Sequence, residues 1–256
     1  MSILRTHARV VGALLIREIS TRFGGKPGGY VWAILEPAAY IGIMTVVFGA
    51  IAHAPALGTS FIMFFATGYL SFMFYQGTAV FASAAVKVNK SLLAYPVVSP
   101  IDTIIARIIL QTLTNALVCV VVFSGILVTV HFQAEIRWEY LLEAIAAMTL
   151  MALGVGCANA VLFPRFSLYE QVYQIVTRPL MLLSGVMYLP DGMPHPYREY
   201  LLLNPLCHAT MLFREGFYPE YRGPALDVSY LWTFSIMALV IGFLIFTFGT
   251  RTLRGD

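Results

Sequence analysis

Charge is scarce in this sequence. Lysine, arginine, aspartate and glutamate make up 11% of its 256 residues, where a soluble domain carries about a quarter to hydrate its surface. That deficit excludes an ordinary soluble enzyme and a disordered chain. With a net charge of only +3 it also excludes a nucleic-acid binder working through a broad basic face. Cysteine is scarce too: Cys119, Cys157 and Cys207 show no metal-ligand spacing and no even-numbered disulfide framework. Cys119 and Cys157 sit in apolar runs, where a thiol acts as a small hydrophobe. No metal site is expected from histidine. His53, His131 and His195 are isolated in expected external loops, and His208 beside Cys207 is a poor pair because helix neighbours point apart. Nor is there a Gly-x-x-x-x-Gly-Lys-Ser/Thr run. The stretch Gly24–Gly29 is glycine-rich but lacks that spacing and the metal-binding hydroxyl, so it is no phosphate cradle. An ATP-driven activity would need its nucleotide on another polypeptide. No internal repeat or low-complexity tract stands out.

Apolar residues are abundant: 59% hydrophobic, with a mean hydropathy of +0.79. Long apolar stretches fall at 31–52, 61–84, 104–130, 141–162, 171–189 and 229–250, each near the ~20 residues that span a bilayer as a helix. Strands of that length are excluded, and lipid satisfies no free backbone group, so the expected fold is all-α and polytopic with six spans. Trp32, Trp138 and Trp232 fall at span ends, as interfacial indoles do. Six crossings put both termini on one side. On that side lie Arg5, Arg9, Arg17, Arg22, Lys26, Lys87, Lys90, Arg107, Arg165, Arg178, Arg251 and Arg254. The other side holds Arg137, Arg198, Arg214 and Arg222. The positive-inside rule therefore predicts cytoplasmic termini.

The apolar piece Val10–Ile16 is short and runs into Arg17-Glu18, which argues against a cleaved signal. Residues 3–17 read as an amphipathic interfacial helix, with Ile3, Leu4, Val10, Val11, Leu14 and Leu15 on one arc opposite Arg5, Arg9 and Arg17. Glu18 and Arg22 break the pattern by falling on the apolar arc, and their i, i+4 spacing would let them pair with each other. The glycine-rich run at 24–29 ends this arm, so 1–30 forms a cytoplasmic arm and 31–256 a six-span transmembrane domain.

Two connections are too elaborate for simple turns. Lys87-Val-Asn89-Lys90-Ser-Leu-Leu-Ala-Tyr95-Pro96-Val-Val-Ser-Pro100 is compatible with a short helix ended by Pro96. It reads either as a lever for another protein or as a solvated loop whose lysines meet anionic lipid. Between spans five and six lie Pro190, Pro194, Pro196, Pro205, Pro219 and Pro224, which bracket the apolar pieces Tyr197–Leu203 and Leu206–Phe217. Both pieces are too short to cross, which predicts an external re-entrant hairpin at about 190–225 that must pack on protein.

At this point the residues resemble a known family. Leu15-Ile-Arg17-Glu18-Ile-Ser-Thr21-Arg22-Phe23-Gly24-Gly25, continuing into Gly29-Tyr30-Val-Trp32-Ala-Ile-Leu-Glu36-Pro37, is similar to the start of capsular-polysaccharide ABC exporter permeases, which are type-2 ABC exporter membrane subunits. Leu183-Ser-Gly185-Val-Met-Tyr188-Leu-Pro190, Leu203-Asn204-Pro205-Leu206 and Phe213-Arg214-Glu215 resemble the pattern around that family's external hairpin. The resemblance implies a homodimeric channel in the bacterial inner membrane, with ATP and Mg on a separate ABC ATPase docked below. It also implies a polysaccharide or glycolipid cargo and periplasmic and outer-membrane export proteins beyond. The ATPase-coupling residues it implies are Arg17, Glu18, Arg22, Lys87, Asn89, Lys90, Tyr95 and Pro96.

Candidate pathway residues each have a rival reading. Glu36, before Pro37 in the first span, is costly in lipid at about 2.5–3.5 kcal/mol at helix-centre depth. It is either a gate residue or the partner of Arg107 or Arg178. Arg178 suits the phosphate or carboxylate of a lipid-linked glycan, or else snorkels or pairs with a carboxylate. Tyr40, Tyr69, Phe72, Tyr75, Tyr173 and Tyr188 line or edge the spans. Tyr75 and Tyr173 are the candidates for a wall along which sugar slides, against the ordinary role of aromatics in packing and interfacial belts. Ala152, Gly156 and Ala160 form a small-residue face for helix packing. Three rival functions are a type-2 exporter of another cargo (O-antigen, teichoic acid or a small lipophile), an intramembrane enzyme and a passive channel. The enzyme reading lacks a histidine deep in a span to activate Ser71, Ser83, Ser124 or Ser184.

Overall fold

The computed structural model describes residues 3–23, 28–130 and 135–253. Residues 24–27, and with them Lys26 and most of the expected glycine-rich break, lie outside the described residues, as do His131 and Arg254. Among the described residues every regular element is helical, as the long apolar runs require. In chain order these are α1 (Ile3–Phe23), α2 (Gly29–Ile51), α3 (Phe61–Ser83), α4 (Ala85–Val88) and α5 (Pro100–Val130). Then come α6 (Trp138–Arg165), α7 (Ser167–Thr177), α8 (Leu180–Leu183), α9 (Tyr197–Leu202), α10 (Pro205–Phe217) and α11 (Val228–Leu253). Four helices are long and apolar enough to cross a membrane: α2, α5, α6 and α11 over Val228–Thr250.

The other two expected spans differ from these in instructive ways. α3 has the length, 23 residues, but it carries Thr67, Ser71, Thr78 and Ser83 and is buried along most of its length against α6, α5, α2 and α10. It is the axis of the core, and three of these hydroxyls survive burial by bonding their own backbone: Thr67 to Phe64 O, Ser71 to Gly68 O and Ser83 to Ala79 O. The stretch expected at 171–189 is no single helix. It breaks at Arg178-Pro179 into α7 and the four-residue α8 and ends at Gly185, because Pro179 has no N–H to give and its ring crowds the preceding turn.

Close packing of α6 rests on glycines. Gly156 meets Ala82 of α3, as the small-residue face at Ala152, Gly156 and Ala160 predicts. On another side Gly154 and Gly242 bring the α6 and α11 backbones into direct contact: a Cβ on Gly242 would overlap the Gly154 carbonyl. Gly242→Leu should therefore cost about 1–3 kcal/mol by overpacking, read as a lowered thermal unfolding temperature in detergent. Gly125→Leu, with open space around it, should leave that temperature unchanged.

The segment between α8 and α11 is anchored inward. All 13 residues of α10 are buried, as expected of a helix too short to cross that must pack on protein. Asn204 caps it by accepting from Leu206 N, and Pro205 occupies the first turn, where no N–H is needed. Trp232 donates to Glu143 at 2.9 Å and ties α11 to α6. Trp32 and Trp138 are exposed near helix starts, where bilayer interfaces place indoles.

Candidate functional site

α5 has 31 residues, about 46 Å at helical rise. It is longer than the ~30 Å hydrocarbon core, so one end projects past the apolar layer. The arm α1 packs along that projecting end, and polar pairs ladder the seam between them. His7 Nδ1 lies 2.9 Å from Asp102 Oδ1. Arg107 grips Glu18 with two donors, Nε to Oε1 at 3.0 Å and a terminal nitrogen to Oε2 at 3.2 Å, the planar fork that suits arginine. Arg22 donates to Gln111 Oε1 at 2.6 Å. The two residues that broke the amphipathic pattern of the arm thus find partners on α5. Both Arg22 and Arg107 also stack over the Phe81 ring, 4.4 and 4.3 Å from its centroid.

Asn89 joins the connection after α4 to this seam. It accepts from Arg17 at 2.6 Å, donates to Glu18 Oε1 at 3.0 Å and donates to Ala85 O at 3.0 Å. Glu18, Asn89 and Arg107 are 4%, 1% and 5% exposed, so three chain segments meet at one buried carboxylate. Burial pushes the Glu18 carboxyl up. The bonds from Arg107 and Asn89, with the charges of Arg107 and Arg17, outweigh it and hold the group below the ordinary glutamate value. Burial and the nearby Arg107 charge lower Arg22 as well.

The rest of the loop faces outward. The short helix compatible with 87–96 does not form there: α4 ends at Val88, and consecutive turns carry the chain on, with Leu92 N on Asn89 O and Tyr95 N on Leu92 O. Asn89 turns its side chain back onto Ala85 O, competing with helix continuation. Tyr95, Pro96 and Val97 are exposed at the tip. Lys87 reaches Glu170 of α7 at 3.8 Å. Lys87, Lys90, Pro164, Glu170 and Thr250 help line a cavity of about 660 Å³ between this loop, the α6–α7 junction and α11.

Among the pathway candidates, Arg107 is no partner of Glu36, because Glu18 occupies it. Glu36 and Arg178 are both exposed and have no ion-pair partner among the described residues. Tyr75 is buried on α3, while half-buried Tyr173 packs with Tyr169 and Phe163. Tyr40 stacks on Tyr69 at 4.2 Å, and its hydroxyl points at Met181 of α8. The residues missed from sequence are His7, Asp102, Gln111 and Asn115. The signal for the last two was a polar stripe at four-residue spacing, Arg107, Gln111 and Asn115, in an otherwise apolar helix.

At the other end of the molecule Arg214 of α10 is fully buried. One terminal nitrogen donates to Gly185 O at 2.6 Å and Tyr188 O at 3.1 Å, the other to Val186 O at 2.8 Å. The guanidinium lies over Phe64, 4.3 Å from the ring centroid. Gly185 adopts φ +69° to turn the chain there, and Gly68 leaves room, since a Cβ would press on Val186 O and the guanidinium.

An arm bound to α5 and to the loop after α4, long apolar helices and an arginine-locked α10 define a multi-helix membrane component with a projecting polar face. Residues 9–218 match the ABC-2 type transporter family, and the chain belongs to it. It is 33% identical over 232 residues to the polysialic acid transport protein KpsM of Escherichia coli, covering 91% of this chain and 90% of that protein. It is 26% identical to the capsule polysaccharide export inner-membrane protein CtrC of Neisseria meningitidis, with 93% and 90% covered. It is also 26% identical to the capsule polysaccharide export inner-membrane protein BexB of Haemophilus influenzae, again with 93% and 90% covered.

Proposed function

We propose that this chain is the membrane subunit of an ATP-driven exporter that carries capsular or related polysaccharide, on a lipid anchor, from cytoplasm to periplasm. It sits in the bacterial inner membrane. α3 and the kinked α7–α8 pair complete six crossings, both termini are cytoplasmic, and α9–α10 is the re-entrant hairpin. Two copies form the channel, two copies of an ABC ATPase bind ATP and Mg beneath it, and periplasmic and outer-membrane export proteins take up the product. The chain itself performs no chemistry. The observation that carries this reading is the buried Glu18–Asn89–Arg107 cluster in a member of this family, whose capsule-export relatives match nearly end to end. A partner pressing on Tyr95–Val97 moves the loop, the arm and α5 together, and through Lys87 and Glu170 also α7. The exposed Glu36 and Arg178 face the glycan, with Arg178 suited to an anionic anchor, and the movement uncovers buried Tyr75 and half-buried Tyr173 along its path.

Deletion of the gene should abolish one surface glycan, and identifying which one separates capsule from O-antigen, teichoic acid or a small lipophile as cargo. Co-purification of an ATPase subunit with the chain separates an exporter from a passive channel. Lys87→Glu with Lys90→Glu places a carboxylate against Glu170 and reverses charge along the cavity. Export should fall several-fold, in line with the modest worth of exposed pairs, and ATPase association should weaken. Normal association together with normal export would remove these lysines from the coupling surface.

A further inference from the structure

The polar seam does not stop at the arm. Beyond Arg22, Gln111 passes the connection on: its Nε2 donates to Asn115 Oδ1 at 2.7 Å, and Asn115 Nδ2 donates to the backbone carbonyl of Met73 at 3.1 Å. Gln111 and Asn115 are 4% and 3% exposed. Buried amides in a membrane helix cost free energy unless fully bonded, and apolar residues would pack there without that cost. α3 is shaped to receive them. Gly77 lies opposite, where a Cβ would stand 3.2 Å from Gln111 Nε2 and 3.8 Å from Asn115 Nδ2, so the missing side chain makes room for both amides and lets Asn115 reach the α3 backbone. The bond at Met73 falls two residues before Tyr75.

We infer that Gln111 and Asn115 are positioning residues, a hydrogen-bonded wire from the ATPase-facing arm through α5 to the α3 backbone beside the pathway tyrosine. Every link is short and directional, so a shift of the arm at Arg22 is carried to α3 and not absorbed by sliding apolar surfaces. A wire in series also has a signature: cutting it once is as damaging as cutting it twice. The inference rests on the proposed exporter function, and the two can fail separately.

The experiment uses the full chain co-expressed with its ATPase and reconstituted in liposomes, reading complex yield, ATP hydrolysis and glycan moved per ATP. Asn115→Leu, apolar and of similar size, should leave complex yield and hydrolysis near wild type; Gln111→Leu also removes the acceptor of Arg22, so its transport is read per assembled complex. Each should lower glycan moved per ATP by about tenfold, as losing one hydrogen bond's worth of coupling at the conformational step would. The double variant should fall no further. Gln111→Glu keeps and strengthens the acceptor for Arg22 but removes the donor to Asn115, so it should uncouple as Gln111→Leu does while the arm stays docked. Wild-type glycan per ATP in the leucine variants would overturn the wire, as would independent, additive losses or a fully coupled Gln111→Glu. Failure of the wild-type chain to bind any ATPase would instead overturn the exporter reading.

Discussion

Arg214→Leu should unfasten α10 from the turn at 185–188. The carbonyls of Gly185, Val186 and Tyr188 all take their bonds from this one guanidinium, and each buried acceptor left bare costs about 1–3 kcal/mol. Leucine removes the penalty of burying a charge, which works the other way. Three stranded carbonyls and a lost ring contact outweigh it, and the net expectation is a loss of about 2–4 kcal/mol. Arg214→Lys should fall between, since a single ammonium cannot serve three carbonyls as a planar fork does. The check is thermal unfolding in detergent together with limited proteolysis across 184–190, which should become cleavable in the leucine variant. Export should fall with it, because α10 packs against both α3 and α6. A leucine variant as stable as wild type, with an uncut loop, would show that the hairpin is held by apolar packing alone.

Arg214 also shows where the sequence misleads. It reads as one of four external cations, and the side of the membrane on which it falls is all that hydropathy and charge counting can use. An arginine after Met211, Leu212 and Phe213 and next to Glu215 gives no hint that its partners are carbonyls 26 to 29 residues away. α2, α5, α6 and α11 were legible because twenty consecutive apolar residues admit one structure in lipid. α3 was legible in extent, but its place as the buried axis was not, since Thr67, Ser71 and Ser83 satisfy themselves locally and leave no periodic mark. The break at Pro179 was present in the letters, yet the apolar run masks it. For the seam between α1 and α5, Glu18 and Arg22 announced themselves by violating the arm's amphipathic pattern. Their spacing suggested a mutual pair, and only the approach of α5 supplies Arg107 and Gln111. Local violations mark where a partner must come, without saying from where.

Glu18→Ala should release the arm. It leaves the Arg107 guanidinium, 5% exposed, facing an empty site, and breaking a buried ion pair from one side costs about 3–5 kcal/mol. Asn89 loses an acceptor in the same step, so the loop loosens with the arm. Protease should then cut within 3–23 and near Lys90 in membranes, and the yield of ATPase complex should drop sharply. Exchanging the charges, with Glu18→Arg and Arg107→Glu together, should recover part of the loss, because the fork can form in the reverse sense while Asn89 and Phe81 remain set for the original. The acid side of the stability profile gives an independent reading. A carboxyl held below its ordinary value stabilises the fold while ionised. That contribution is complete above the ordinary value of 4.5 and is lost as pH falls through the lower folded value. Wild-type protein should therefore hold its arm from neutral pH down past that ordinary value and release it in stronger acid. Glu18→Gln, which keeps the shape but not the charge, should start weaker and show a flatter acid limb. If arm protection in Glu18→Gln matched wild type at neutral pH and followed it through acid, the three segments would be joined by packing and not by this carboxylate.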